Sequence, residues 1–391
     1  MRAALICFAA VVGAMAQTAP PPLENYKALK YPPLKQVTIP TPETFTMPNG
    51  MKVYLLEDHE LPVISGFAFV RTGNLLDPND KRGVAELTGS VLRTGGTKAK
   101  TGDQIDEELE NVAASVESSM GETSATVGFS SLKEHSDKTL AVFHDLLTGP
   151  EFRQDKIDLL KSQYRSAISR RNDDANEIAT REYATLLYGA DSPYGWRIEY
   201  KHLNNISRAD LEAFYARYYF PANIMMAVYG DFKSADMKAK LEAAFASWTV
   251  KQPPVPAFPK VTQGPQPGVY LADKKDVTQT FFQMGHLGGT LRDKDYPALQ
   301  VAADILGAGF SSRLTTRIRT QLGYVYDVSA SWGAGFNHPG MFTISGSTKS
   351  KSTADALIAI REELEKMRTT EVTAAELEDA KQSTLNSFVF F

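Results

Sequence analysis

Few residues in this chain can hold a metal or attack a bond, and they are scattered. The six histidines are His59, His135, His144, His202, His286 and His338, and none has a second histidine at metal-ligand spacing. Surface pairs and helix caps are their expected use. The single cysteine is Cys7, and no G-x-S-x-G elbow occurs, so thiolate chemistry beyond that point and serine-hydrolase chemistry of the elbow type are both excluded. Gly307-Ala-Gly309-Phe-Ser-Ser lacks the lysine of a phosphate loop and reads as a helix-ending turn. Just past that turn lie Arg317, Arg319, Tyr324 and Tyr326. A tyrosine hydroxyl can donate to an oxyanion and an arginine can hold a peptide backbone. The same residue types also serve as plain helix caps and strand neighbours.

The elements around these residues follow from periodicity. Residues 51–57, 63–70, 124–130 and 224–229 alternate or run apolar like strands, with a turn at Asn49-Gly50. Residues 83–92 and 155–171 have helical spacing, and Ser207-Arg-Ala-Asp210 is a capping box opening a helix that Pro221 stops. The pattern is α+β. Pro253, Pro254, Pro256, Pro259, Pro265 and Pro267 mark residues 249–268 as an inter-domain linker.

Beyond the linker the first part recurs. Phe69-Val-Arg-Thr-Gly-Asn-Leu-Leu-Asp77 and Val91-Leu-Arg-Thr-Gly95 have counterparts in Met284-Gly-His-Leu-Gly-Gly-Thr-Leu-Arg-Asp293 and Ile305-Leu-Gly-Ala-Gly309. The offsets are 216 residues (77 to 293) and 214 residues (91 to 305). A strand, a glycine loop, an aspartate and a helix repeat in order, which indicates two homologous halves. The expected domains are 44–248 and 269–391. The helix from Thr373, with its Thr373/Glu376 capping box, matches the one near Asp155, after which the first half continues to about Val250. By that analogy the second half is truncated by about 75 residues.

The N-terminus has its own pattern. Met1-Arg2 precedes an apolar run from Ala3 to Val12, and Ala14-Met15-Ala16 offers a small-x-small cleavage site before Gln17. This predicts a signal peptide over 1–16, of bacterial style, and a periplasmic or extracellular protein. The run is too short to span a bilayer, so no stable membrane span is expected. Residues 17–43 form a Pro-rich arm. With a net charge of −4 and no basic block, nucleic acid is excluded as a partner.

Several segments together resemble the insulinase/pitrilysin family of metallopeptidases. They are Met47-Pro-Asn-Gly-Met-Lys-Val-Tyr54, Asp77-Pro-Asn-Asp-Lys-Arg-Gly-Val-Ala85, Ser192-Pro-Tyr-Gly195, Tyr218-Tyr-Phe-Pro-Ala-Asn-Ile224, Val228-Tyr-Gly-Asp-Phe232 and Ser312-Arg-Leu-Thr-Thr-Arg-Ile-Arg319. The resemblance implies two α/β halves, each a mixed sheet packed with helices, closing as a clamshell on a peptide. It also implies an inverted zinc motif, H-x-x-E-H plus a distal glutamate, in the first half. Two histidines four apart share a helical face and can hold Zn²⁺, while the glutamate takes a proton from zinc-bound water.

Here that motif is degenerate. The ligand positions read Glu86 and Ser90, the base position Gly89, and the distal glutamate falls on Ala167. Serine is a poor zinc ligand and glycine none, so no cofactor is expected in this chain. The resemblance implies an arginine and a tyrosine seven residues apart for substrate holding and oxyanion stabilisation; Arg319 with Tyr326 and Arg317 with Tyr324 both have that spacing, and Arg319 and Tyr326 are preferred because Tyr326-Asp-Val-Ser fits the family pattern best. It likens Gly121-Glu122-Thr123-Ser124-Ala-Thr126 to the edge strand along which a peptide adds, although any sheet edge could read this way. Two functions follow. In the first, the chain is the non-catalytic subunit of a two-chain peptidase, binding peptide beside a homologous partner that carries the zinc. In the second, it is a structural or peptide-binding scaffold with no part in proteolysis.

Overall fold

The computed structural model describes residues 39–387, apart from Gln263 and Pro265. The proposed signal peptide and almost all of the Pro-rich arm lie outside the described residues.

The first half is a six-stranded mixed sheet carrying helices. Its strands are β1 (Glu43–Thr46), β2 (Lys52–Glu57), β3 (Val63–Arg71), β4 (Ser115–Met120), β5 (Ser124–Leu132) and β6 (Ile224–Gly230), in the spatial order β1-β2-β6-β3-β5-β4. The β6 strand runs parallel to β2 and antiparallel to β3, wedged between them. Its apolar alternation buries Ile224, Met226 and Val228 against the core. The helices are α1 (Val84–Thr94), α2 (Gly102–Glu110), α3 (Ser136–Thr148), α4 (Gln154–Arg170), α5 (Ala175–Tyr188), α6 (Tyr200–Asn205), α7 (Arg208–Tyr218) and α8 (Ser234–Phe245). The capping box expected at Ser207 and Asp210 is present. Helix α1 packs on β4 and against α4 and α7. Aromatic contacts such as Phe129–Phe143, 4.9 Å between ring centres, fill the core beneath.

The second half repeats this order on a smaller scale. Strands β7 (Gln279–Leu287), β9 (Val325–Trp332) and β11 (Met341–Lys349) form a sheet ordered β7-β11-β9, and the short β8 (Gly289–Thr290) and β10 (Ala334–Gly335) pair with each other. Helices α9 (Tyr296–Gly307), α10 (Thr353–Thr369) and α11 (Ala374–Ser387) accompany it, with a π-helical turn at Thr315–Gln321. The order β7-β11-β9 reproduces β3-β5-β4. The capping box expected at the start of α11 forms between Thr373 and Glu376.

The repeat reaches one element further than the sequence motifs suggested. Val269-Tyr270-Leu271 duplicates Val53-Tyr54-Leu55 at the same 216-residue offset. Val53 and Leu55 are 0% and 1% exposed within β2, whereas Val269 and Leu271 are 85% and 92% exposed and belong to no strand. In the first half β2 is paired on both sides, by β1 and β6, and its Val53 and Leu55 enter the first core. Among the described residues no strand stands between Val269–Leu271 and β7.

Residues 249–268 carry no helix or strand where they are described, and arginines of the first half hold them. Arg217 donates to the carbonyls of Pro253 and Pro254, both at 2.9 Å. Arg71 donates to Val255 and Pro256, at 2.9 and 3.0 Å. A Pro-rich segment outside any sheet leaves its carbonyls unpaired, and the guanidinium fork satisfies two at once. The halves also touch directly: the hydroxyls of Tyr183 and Tyr188 donate to the carbonyls of Phe342 and Pro339. No helix of the described residues is long and apolar enough to cross a membrane.

Candidate functional site

Helix α1 carries the degenerate metal positions, and its entry is tightly fixed. Gly83 has φ 99°, a left-handed conformation that favours glycine. The Asp77 carboxylate accepts from the backbone N–H groups of Gly83 and Ala85, at 2.5 and 2.9 Å. Burial pushes the Asp77 carboxyl up to about 7, against those two hydrogen bonds and with Glu86 adding to the rise.

Glu86, at the first ligand position, is already committed. One carboxylate oxygen accepts from the Asn74 amide at 3.0 Å and the other from the Tyr164 hydroxyl at 2.6 Å. Burial first, and then Glu86, push the Tyr164 phenol up, so it stays a donor. Gly89, at the base position, faces β4: a Cβ placed there would lie 2.5 Å from the Met120 Cβ. Its carbonyl accepts from the Ser118 hydroxyl. Ser90 is half-buried. Ala167 is exposed on α4, and the residue of that helix that reaches Glu86 is Tyr164, nearly one turn earlier. One carboxylate held by two neutral donors, beside a glycine and a serine, does not fit zinc. Among the described residues no three His, Cys, Asp or Glu side chains converge to hold a metal.

The expected edge strand is corrected in position. Met120 pairs with Ala125, so Gly121, Glu122 and Thr123 form the turn of the β4–β5 hairpin. Ser124 begins β5, an interior strand, and pairs with Arg71 of β3. The carbonyls of Gly121 and Glu122 already accept from the N–H groups of Asn74 and Leu75. The edge strands of the sheet are β1 and β4, and β4 is the one beside this hairpin. The sequence hid this because Ser115–Met120 is polar on one face and lacks a long apolar run.

The histidines are spent locally. His59 bonds to Asp231 at 2.6 Å, and the His202 ring accepts from the backbone N–H of Glu199. His338 has a larger role. It lies 3.3 Å from Glu122 and stacks on Tyr194 with ring centres 4.3 Å apart, joining the second half to the first. The bond to Glu122 raises the His338 pKa and lowers that of Glu122. Glu122, Glu86 and Asp77 share the wall of a cavity of about 150 Å³ with Arg82 and Trp196.

The structure separates the two arginine–tyrosine pairs. The Arg319 guanidinium, on the π-helical turn, lies 5.3 Å from the Tyr326 ring centre and 5.1 Å from that of Phe310. Tyr326, on the edge strand β9, is 78% exposed. Arg317 instead turns to Gln321 and Glu363, and Tyr324 packs on the second core. Neither Arg319 nor Tyr326 contacts Glu86, Gly89 or Ser90; the second-half residue at the cavity wall's Glu122 is His338.

Fold and site together define a duplicated peptidase-like protein whose metal-bearing helix has lost its ligands. Residues 53–188 match the family described as insulinase (peptidase family M16), and residues 205–384 match its companion, the peptidase M16 inactive domain. The chain belongs to this insulinase-type family. It is 28% identical, over 363 residues, to a protein of Helicobacter pylori named non-peptidase homolog YmxG, covering 87% of this chain and 78% of the relative. A Bacillus subtilis protein named uncharacterized zinc protease YmxG is 22% identical over 350 residues, covering 88% and 83%. The crystal structure of a peptidase M16 inactive domain from Pseudomonas fluorescens superposes with a TM-score of 0.77 at 25% identity, over 89% of this chain and 84% of that one.

Proposed function

We propose that this chain is the non-catalytic subunit of a two-chain zinc metallopeptidase, binding peptide and presenting Arg319 and Tyr326 to a homologous partner that carries the metal. One observation carries the reading. In the first half the metal and base positions are replaced and Glu86 is committed to Asn74 and Tyr164, while Arg319 lies over the exposed Tyr326 ring, free of ion pairs among the described residues. The partner's zinc would supply the activated water. Tyr326 would donate to the oxyanion as it forms, and Arg319 would hold the substrate backbone. The free edge of β4 offers a peptide unpaired backbone groups. Met1–Ala16 resembles an export signal, which supports a site of action outside the cytoplasm; a purified native chain beginning at Gln17 would bear that out, and one retaining Met1 would refute it.

The test is steady-state kinetics on this chain mixed with a family member bearing an intact H-x-x-E-H. Tyr326→Phe is expected to lower kcat about 10²- to 10³-fold with little change in KM. Arg319→Ala is expected to raise KM as well. Tyr324→Phe and Arg317→Ala are controls at the same spacing. If Tyr324→Phe lowers kcat and Tyr326→Phe does not, the assignment fails. If none of the four matters, the chain is a scaffold.

A further inference from the structure

We propose that the cavity beside α1 is a recognition pocket for a carboxylate of a bound peptide, anchored by Arg82. This deepens the peptide-binding role proposed above and rests on that part of it. Arg82 immediately precedes the left-handed Gly83, so its backbone is fixed by the turn that starts the helix. Its guanidinium carbon lies over the Trp196 ring, 4.4 Å from the ring centre. Stacking leaves the N–H donors on the guanidinium edge unused. Nε is buried with no acceptor, and Arg82 makes no hydrogen bond or ion pair among the described residues.

The carboxylates in the same wall do not meet that need, because each already has its own donors. Asp77 caps α1, Glu86 accepts from Asn74 and Tyr164, and Glu122 accepts from His338. The unmatched group is therefore a planar, forked, cationic donor, and its complement is a planar anionic acceptor. Size narrows the choice further. A cavity of about 150 Å³ holds roughly five waters at ~30 Å³ each, enough for one side-chain carboxylate or a chain terminus but not for a folded segment. An internal Asp or Glu and a C-terminal α-carboxylate share this chemistry.

The experiment is calorimetric titration of the full chain alone, with three alanine-based peptides as probes. One carries a single internal glutamate between blocked ends, the second has glutamine there, and the third has no acidic side chain but a free C-terminus. The glutamate peptide, the free-acid peptide or both are expected to bind about ten- to a hundredfold more tightly than the glutamine peptide, the range of a charge-assisted pair. Which acidic probe wins identifies the source of the carboxylate. Arg82→Met should erase the preference, and Arg82→Lys should retain part of it, since the charge stays and the fork goes. Unchanged thermal unfolding of Arg82→Met shows that the fold is intact. Equal affinity for all three probes, no binding of any, or a preference that survives Arg82→Met overturns the proposal. No zinc-bearing partner and no turnover enter the assay, so the two-chain reading stands or falls separately.

Discussion

Replacing Gly89 with alanine separates packing from helix propensity, because the two effects carry opposite signs. In an exposed helix interior this change stabilises by about 1 kcal/mol, since alanine orders the backbone at lower entropic cost. At Gly89 the new Cβ would stand 2.5 Å from the Met120 Cβ and 3.2 Å from the Met120 backbone nitrogen. Neither is the tip of a flexible side chain, so β4 itself must move, and with it the Ser118 bond to the Gly89 carbonyl. Overpacking of this kind costs about 1–3 kcal/mol. Setting about 1 kcal/mol of propensity against it leaves a net destabilisation of up to about 2 kcal/mol. Urea unfolding at 25 °C reads it as a lower midpoint with an unchanged slope. A midpoint above that of the parent would refute the claim that β4 closes the base position. If the claim holds, Gly89→Glu is worse still, because it presses a carboxylate under the strand, and point changes cannot rebuild the zinc motif.

Three further outcomes are expected. Val53→Asp, at a fully buried strand position, should lose more than about 3 kcal/mol in urea unfolding, whereas Val269→Asp, its exposed duplicate, should stay within about 0.5 kcal/mol. The Glu122–His338 bond should make stability pH-dependent. His338 has a raised pKa, so its contribution is complete below its ordinary value of 6.5 and lost as pH rises through the folded value; Glu122 has a lowered pKa, so its contribution is complete above 4.5 and lost as pH falls through the folded value. The stability difference between the parent and Glu122→Gln should therefore peak between pH 4.5 and 6.5, and a difference flat from pH 4 to 9 would remove the bond from the account. Elemental analysis of the purified chain should find far less than one zinc per molecule, and a chelator should leave its unfolding midpoint unmoved.

The same positions show where sequence reasoning worked and where it ran out. The strands at 63–71 and 224–230 and the capped helices from Arg208 and Ala374 were readable because alternation, helical period and caps are local properties. The duplication is legible in its offset, but its Val-Tyr-Leu member carries no glycine or aspartate to mark it. The edge strand β4 is not legible in the sequence, since nothing local distinguishes a polar strand such as Ser115–Met120 from a loop. Tyr164, Asn74 and Arg82 went unnoticed as site residues because no motif names them.

The sequence by itself determined that the zinc chemistry is gone, because a metal site needs particular side-chain types at a fixed spacing, and Glu86, Gly89 and Ser90 are the wrong types whatever surrounds them. The tertiary structure decided what took the site's place. Tyr164 is 78 residues from Glu86 along the chain and 2.6 Å from it in space. Met120 reaches Gly89 only because the β4–β5 hairpin folds onto α1, and Trp196 meets Arg82 only because the segment before α6 crosses the mouth of that helix. Likewise, two arginine–tyrosine pairs of identical spacing part ways, because Tyr326 lies on the exposed edge strand β9 while Tyr324 precedes that strand and packs on the second core, and the π-helical turn aims its arginines apart. Spacing along a chain limits which groups can meet; packing between distant segments chooses among them.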